Sequence, residues 1–565
     1  MRYQAKAGED LGQLIKKMCQ EDLEELDLSG LGLTEVPEKI GLLKSLKKID
    51  LSHNNLASIP PELGEITNLN ILKINNNKLK SLPSELGQFS NLRVLDLSHN
   101  NLTELPSEIG ELESVTHVRS SHNQLQKLPS EIGELRQLKY LDISFNRLTN
   151  LPLEIGQLLK LQSLILRNNF LQSLPSTTGQ ILALTELILD KNQLSSLPDE
   201  IAQLTKITTL KVSKNKLKQL PQLGQFNSLE ILDISHNSLI KLPSEIGQLS
   251  SITTIDLSHN QLQKLPTEIG EVTQLQYLNV SFNKLTSLPL EIGQLLKLQH
   301  LNLSNNFLRS LPSTTGQMLA LTKLILNKNQ LSSLPSEIIQ LTNITTLKIS
   351  SNKLRTLPRL VQFNNLQVLD VSHNKLIELP SEIGQLGSIF EINLSHNQLQ
   401  KLPTEIGEVT QLKYLNVSFN KLASLPLEIG QLLKLQSLNL SNNFLRSVPA
   451  TAGQMTALIE LVLDRNQLRD LPNEIGQLSR LATLKLKDNK LKILPPTIGQ
   501  LGGLEELSLA NNLLRIIPRE LGELNKLRLL DLTENNLPRI PTSLIFLGNL
   551  KQFYYSAKGS KDSPQ

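Results

Sequence analysis

One asparagine returns at a fixed period along almost the whole chain, at 54, 77, 100, 123, 146, 169, 192 and 215, then from 237 to 352 and from 374 to 535. Each lies in the pattern LxxLxLxxNxLxxLPxEIGxL, of which residues 92–112, LRVLDLSHNNLTELPSEIGEL, are a clear copy. There are 22 such copies, and a first one at 23–43 has Leu31 where the others have Asn. A longer period lies over the short one. Asn100, Asn237 and Asn374 are separated by six repeats less one position, and the position is lost at the same place, in LPQLGQF and LPRLVQF. A block of six repeats has been copied whole. No single 23-residue unit can enclose a core, so neighbouring units must stack and share one, as in a solenoid.

In LxxLxLxxN, alternate residues face opposite sides of a strand. For the repeat beginning at Leu275 the pattern predicts Leu275, Leu278 and Val280 inward, and Tyr277, Asn279 and Ser281 outward. Leu285, Leu288, Ile292 and Leu295 point inward along the return path. Successive strands then pair in parallel, with right-handed coiling. The Asn turns inward to pair backbone groups where the chain leaves the strand, since a buried unpaired peptide group costs about 1–3 kcal/mol. Pro ends the turn, EIG supplies a short helical or irregular return, and its Gly suits a left-handed helix terminus.

The ends need different chemistry. Leu11, Leu14, Ile15 and Met18 stand at helical spacing, which predicts an amphipathic cap helix over 1–22. The solenoid then occupies 23–547, Leu550, Phe553 and Tyr555 mark a cap strand over 548–555, and 556–565 is a polar, disordered tail. Aromatics are only 3% of the chain, so Leu and Ile fill the core. A net charge of +4, from 57 basic and 53 acidic residues, points to neither nucleic acid nor membrane as partner. Cys19 is the only cysteine, which excludes disulfide-sealed ends. With no apolar run of the ~18–20 residues that span a bilayer, the expectation is a cytoplasmic protein.

These residues carry a resemblance. The 23-residue unit with LPxEIGxL resembles the Ras-group class of leucine-rich repeats, found in animal Ras-pathway scaffolds, plant intracellular Ras-group proteins, bacterial proteins and the Roco GTPases. The resemblance covers about 23–547 and implies an α/β repeat fold: a right-handed leucine-rich-repeat solenoid with a concave parallel β-sheet, about 23 repeats plus terminal caps. It also implies protein ligands on the concave face, small GTPases or other signalling proteins among them. The GTPase part of the Roco resemblance fails, because GxxxxGK[ST] occurs nowhere in the chain.

Catalytic chemistry is not legible. Seven of the nine histidines stand immediately before the Asn, at 53, 99, 122, 236, 259, 373 and 396. Adjacent rungs, roughly 4.8 Å apart, would bring them together in pairs, but no carboxylate or Cys completes a metal set, so LSHN reads as a spelling of the strand end. No enzyme, cofactor or metal is expected. The outward strand positions say more. Each block carries an aromatic pair on one rung: Tyr140 with Phe145, Tyr277 with Phe282, Tyr414 with Phe419. Ile165, Ile188, Ile325 and Val462 continue the apolar character, and lysines including Lys211, Lys214, Lys348 and Lys485 lie beside them. Such a concentration resembles an interface core with an acidic protein partner. Because the block was copied, its three instances count as one observation. The expected function is a non-catalytic scaffold, monomeric alone, that binds protein partners in signal transduction. The alternative is an architectural or self-associating solenoid.

Overall fold

The computed structural model describes residues 22–540 and 542–556, with residues 2–4, 13, 15, 16 and 19 before them. It forms two compact units, Met1–Lys284 and Leu285–Gln565. In the first, three-residue strands run from Arg2–Gln4 and Glu25–Asp27 through to Tyr277–Asn279, each pairing in parallel with the next in chain order. In the second, the same arrangement runs from His300–Asn302 to Gln552–Tyr554. This is the parallel-sheet leucine-rich-repeat solenoid that the repeat predicts.

Register explains the core. Between the two terminal strands, the middle residue of each strand from Glu25–Asp27 to Leu529–Asp531 faces inward and stacks on its equivalent, as in the run Leu141, Leu164, Leu187 and Leu210, all buried, whereas Phe553 in the last strand is 38% exposed. After each strand from Lys48–Asp50 to Leu529–Asp531 the chain turns through the Asn. The side chain of Asn100 donates to the carbonyls of Ile74 (3.0 Å) and Leu97 (3.1 Å) and accepts from the Leu79 amide (3.0 Å), so it ties its own rung to the one before. Except in the two shortened segments, the return path is a five-residue 3₁₀ helix such as Ser107–Glu111, whose first bond runs from the Ile109 amide to the Pro106 carbonyl at 3.1 Å. Pro at that place fixes φ and needs no donor.

Three expectations are corrected here. Ser281 does not point out to solvent: the strand has ended at Asn279, and Ser281 turns in to donate through both N–H and Oγ to Asn279 Oδ1. The Gly of EIG is not left-handed, since positive φ among the described glycines occurs only at Gly30 and Gly32. It is required because rungs approach closely: a Cβ on Gly179 would stand 2.2 Å from the carbonyl oxygen of Glu200 in the next rung. At the N-terminus a strand, Arg2–Gln4, pairs with Glu25–Asp27 where only a helix was expected. Ile15 is helical and buried, whereas Leu11, Leu14 and Met18 lie outside the described residues, as do residues 557–565 of the expected tail. Among the described residues no helix is long and apolar enough to cross a membrane.

Candidate strand-face and strand-edge surface

The predicted aromatic pairs divide between two surfaces. Tyr140 stands on the strand face. Its ring lies 5.8 Å from that of His117 on the preceding strand, with the Arg119 guanidinium 5.2 Å from its centroid. Phe145 stands at the strand end, where the backbone is left-handed (φ 53°), and its ring stacks on His122 at 4.0 Å, which stacks on His99 at 4.1 Å. The same His–His–Phe ladder recurs as His236, His259 and Phe282, and as His373, His396 and Phe419. Tyr and Phe of one rung therefore do not form a single patch.

Backbone conformation accounts for the histidines. Every position immediately before an anchoring Asn has positive φ, and more than half of these positions hold His, Asn or Asp, the non-glycine types that best tolerate this region. Phe does not belong to that group, and holding it there costs about 1–3 kcal/mol. Stacking on His122, together with the Arg167 guanidinium 5.6 Å from its centroid, offsets part of that cost. Phe145 remains 36% exposed and, with Arg147, Phe170 and Lys191, lines an open cleft at the strand edge. Among the described residues no group of three or more His, Cys, Asp or Glu is placed to hold a metal ion.

The apolar step is narrower than expected. Ile165 and Ile188 are register neighbours, followed by Lys211 and Asp233, but Ile188 is only 8% exposed. It is a floor beneath the surface rather than an anchor offered to solvent. In the second unit the equivalent runs are Asn302, Ile325, Lys348 and Asp370, and Asn439, Val462, Lys485 and Ser508, with Ile325 and Val462 half-buried. The lysines separate as well. Lys211, Lys348 and Lys485 lie on the strand face, whereas Lys214 is exposed at the edge in a left-handed conformation (φ 54°). Lys485 is already paired with Glu506 at 3.3 Å, so the third basic patch is partly neutralised from within. Tyr277 is half-buried and Tyr414 exposed, with the Tyr414 hydroxyl 3.3 Å from Gln436 Oε1. His117, Arg119 and Arg167 were missed, although Arg119 occupies the position that Asp96 and Asp142 fill on either side.

Burial, and then the neighbouring histidine, holds His122, His259 and His396 below the ordinary imidazole range. Burial followed by nearby cations does the same to His117 and His300. The unfolded chain therefore binds protons more readily than the folded one near pH 6.5, and this contribution to stability, present above that value, is lost as pH falls through it. The thermal midpoint is expected to fall between pH 7.5 and 5.5, a window above the usual carboxylate range. His122→Phe, which extends the ladder with the ring type already present at Phe145, should lessen the fall. A midpoint that holds or rises over this window would contradict the assignment.

Comparisons with known proteins agree with this geometry. Models described as leucine rich repeat match residues 45–66, 67–125, 228–249, 274–295, 297–318, 319–376, 364–422, 433–491 and 479–537, and one described as leucine-rich repeat region matches 129–237. The comparison with curated proteins gives no match. Among solved structures the chain is similar to the plant peptide hormone receptor RGFR1 in complex with RGF2, at 29% identity, 95% of each chain and a TM-score of 0.70. It is also similar to a TDR receptor, at 26% identity, 96% of this chain, 95% of that one and a TM-score of 0.71. A third is the Arabidopsis receptor kinase HAESA in complex with the peptide hormone IDA and the co-receptor SERK1, at 28% identity, 86% and 87% of the chains and a TM-score of 0.67. Repeat, register and asparagine ladder thus agree with the matches along most of the sequence: the chain belongs to the leucine-rich repeat family.

Proposed function

We propose that this chain is a non-catalytic scaffold whose strand face holds a polypeptide ligand. The observation that carries the proposal is the strip formed by consecutive strands of the first unit: His117 and Arg119 around the Tyr140 ring, then Ile165 beside the buried Ile188, then Lys211. A rigid aromatic with a cation at its face, an apolar floor and a terminal lysine suit an extended segment with an apolar centre and acidic flanks. The similarity to receptors whose structures hold peptide hormones supports a polypeptide as the class of ligand. Within the family, the LPxEIGxL spelling supports the finer proposal of a Ras-group protein acting in cytoplasmic signalling, with Ras-like GTPases among its partners.

A partner captured by cross-linking to the full chain and then purified serves for calorimetric titration. Tyr140→Ala with Arg119→Ala should weaken binding by about 2 kcal/mol or more, the usual effect of truncating an aromatic or Arg anchor. The thermal midpoint should barely change, because neither side chain enters the core. Unchanged affinity would remove the strand face of the first unit as the ligand site.

A further inference from the structure

A second surface runs along the strand edge of the first unit, where the chain leaves each strand and turns through the Asn. Across the four rungs of Asn146, Asn169, Asn192 and Asn215 this edge carries Arg147, Arg167, Lys191, Lys214, Lys216 and Lys218. All are exposed except Lys191, which is half-buried. Among the described residues none of the six is paired with a carboxylate. From two residues before each Asn to four after it, the one acid in these rungs is Asp190. Its Oδ1 already accepts from the Ser213 amide at 2.8 Å and the Ser213 hydroxyl at 2.7 Å. The rungs on either side, over 121–127 and 235–241, add Lys127 and Lys241 and no acid.

The flanking surfaces do not cancel this charge. On the strand-face side Asp142 Oδ1 accepts from the Ser144 amide at 2.9 Å, and Glu186 Oε2 accepts from the Ser163 hydroxyl. On the 3₁₀ side the next acids are Glu154, Asp199 and Glu200, past the Leu-Pro turns. With both sides counted, residues 142–219 hold nine bases and six acids, so the excess of base stands. The repeat does not require such an edge. In the third block Ser441, Asp470 and Asp488 stand where the first has Arg167, Ser196 and Lys214, and Arg465 is paired with Asp488 at 3.3 Å. Phe145 and Phe170, 36% and 48% exposed, give the first edge an apolar centre. Phe145 has His122 of the preceding rung on one side and Arg167 of the following rung on the other, so its rim rather than its faces meets solvent. Single-stranded nucleic acid binds by stacking bases on ring faces, and those of Phe145 are taken. A flat bilayer does not enter the cleft that both rings line. Aliphatic side chains do fit against a ring rim, and carboxylates match the unpaired cations around it. We propose that the strand edge of the first unit is a docking surface, separate from the strand face, for an acidic polypeptide segment with apolar side chains between its carboxylates.

Two synthetic peptides test this on the full chain. One repeats Glu-Glu-Leu and carries a benzophenone side chain in place of one Leu; the other has Gln for every Glu. The Glu peptide should bind, lose affinity as salt rises, and on irradiation label the chain within 144–219. The Gln peptide should bind at least about tenfold more weakly. Arg167→Ser with Ser196→Asp and Lys214→Asp gives the first edge the residues of the third. Asp488 already holds the left-handed conformation that Lys214 has, with φ 58° against 54°, so this variant should fold. Its labelling within 144–219 should fall at least about tenfold. Tyr140→Ala with Arg119→Ala should leave that labelling unchanged, so failure of the strand-face site and failure of the edge site are told apart. Equal binding of the two peptides overturns the proposal, as do labels spread evenly along the chain, full labelling of the edge variant, or loss of labelling in the strand-face variant. Tighter binding of oligodeoxythymidylate than of the Glu peptide at the same salt would assign the edge to nucleic acid and overturn it. Binding to phosphatidylserine vesicles by a chain that ignores the Glu peptide would assign it to lipid and overturn it as well.

Discussion

Asn100→Ala is expected to cost about 3–5 kcal/mol of local stability. The side chain is buried and serves three backbone groups at once, the carbonyls of Ile74 and Leu97 and the amide of Leu79. Alanine removes all three partners without exposing the groups to water, and each buried unpaired group costs about 1–3 kcal/mol before relaxation. The cavity left behind adds to this rather than offsetting it. Because a solenoid's stability is close to a sum of rung and neighbour contributions, the loss should stay near the altered rung. Native-state hydrogen exchange is the measurement. Protection should collapse in the rungs of Asn77, Asn100 and Asn123 while that of Asn237 changes little. A loss under about 1 kcal/mol, or equal loss of protection in all rungs, would show that the asparagine ladder does not hold neighbouring rungs together.

That ladder was legible because its cause is local. An Asn at constant spacing just after an alternating strand has one physical task, and Leu at the intervening positions has one place to go. The same alternation misplaced Ser281, since strand geometry stops at Asn279 and the backbone then turns through the left-handed residue Phe282. The histidines were legible as a spelling but not as a conformation. The signal was there, in the preference for His, Asn and Asp immediately before the anchoring Asn, but it needed a φ value to give it meaning. The separation of Tyr140 from Phe145 follows from the same turn: a short way along the chain, one ring is on the face and the other is at the edge. Ile188 shows the remaining limit, because period two assigns a side of the strand but not how far neighbouring side chains cover it.

Gly179→Ala is expected to destabilise by about 2–3 kcal/mol, although alanine is ordinarily the better residue in a helix by about 0.5–1 kcal/mol. The new Cβ would lie 2.2 Å from the carbonyl oxygen of Glu200 and 2.6 Å from its carbonyl carbon. Those are backbone atoms of the next rung, so relief requires the rungs to part, and parting them weakens the strand pairing of Glu186–Ile188 with Thr209–Lys211 beyond. The chain contains its own control. Among the described return helices only Asp199–Gln203, Ser336–Gln340 and the last, Thr542–Phe546, replace this Gly, with Ala202, Ile339 and Ile545. The first two precede the shortened segments, LPQLGQF and LPRLVQF, where no 3₁₀ helix forms before the next strand, and none follows the third among the described residues. With the facing helix gone, the restriction on side-chain size is gone too, and Ile fits where elsewhere Ala would not. Ala202→Gly should therefore cost no more than the ordinary propensity difference of about 1 kcal/mol. Thermal midpoints of the two variants, read beside hydrogen exchange in the altered rungs, decide the matter. If Gly179→Ala proves no worse than Ala202→Gly, close rung packing is not what keeps glycine in this motif.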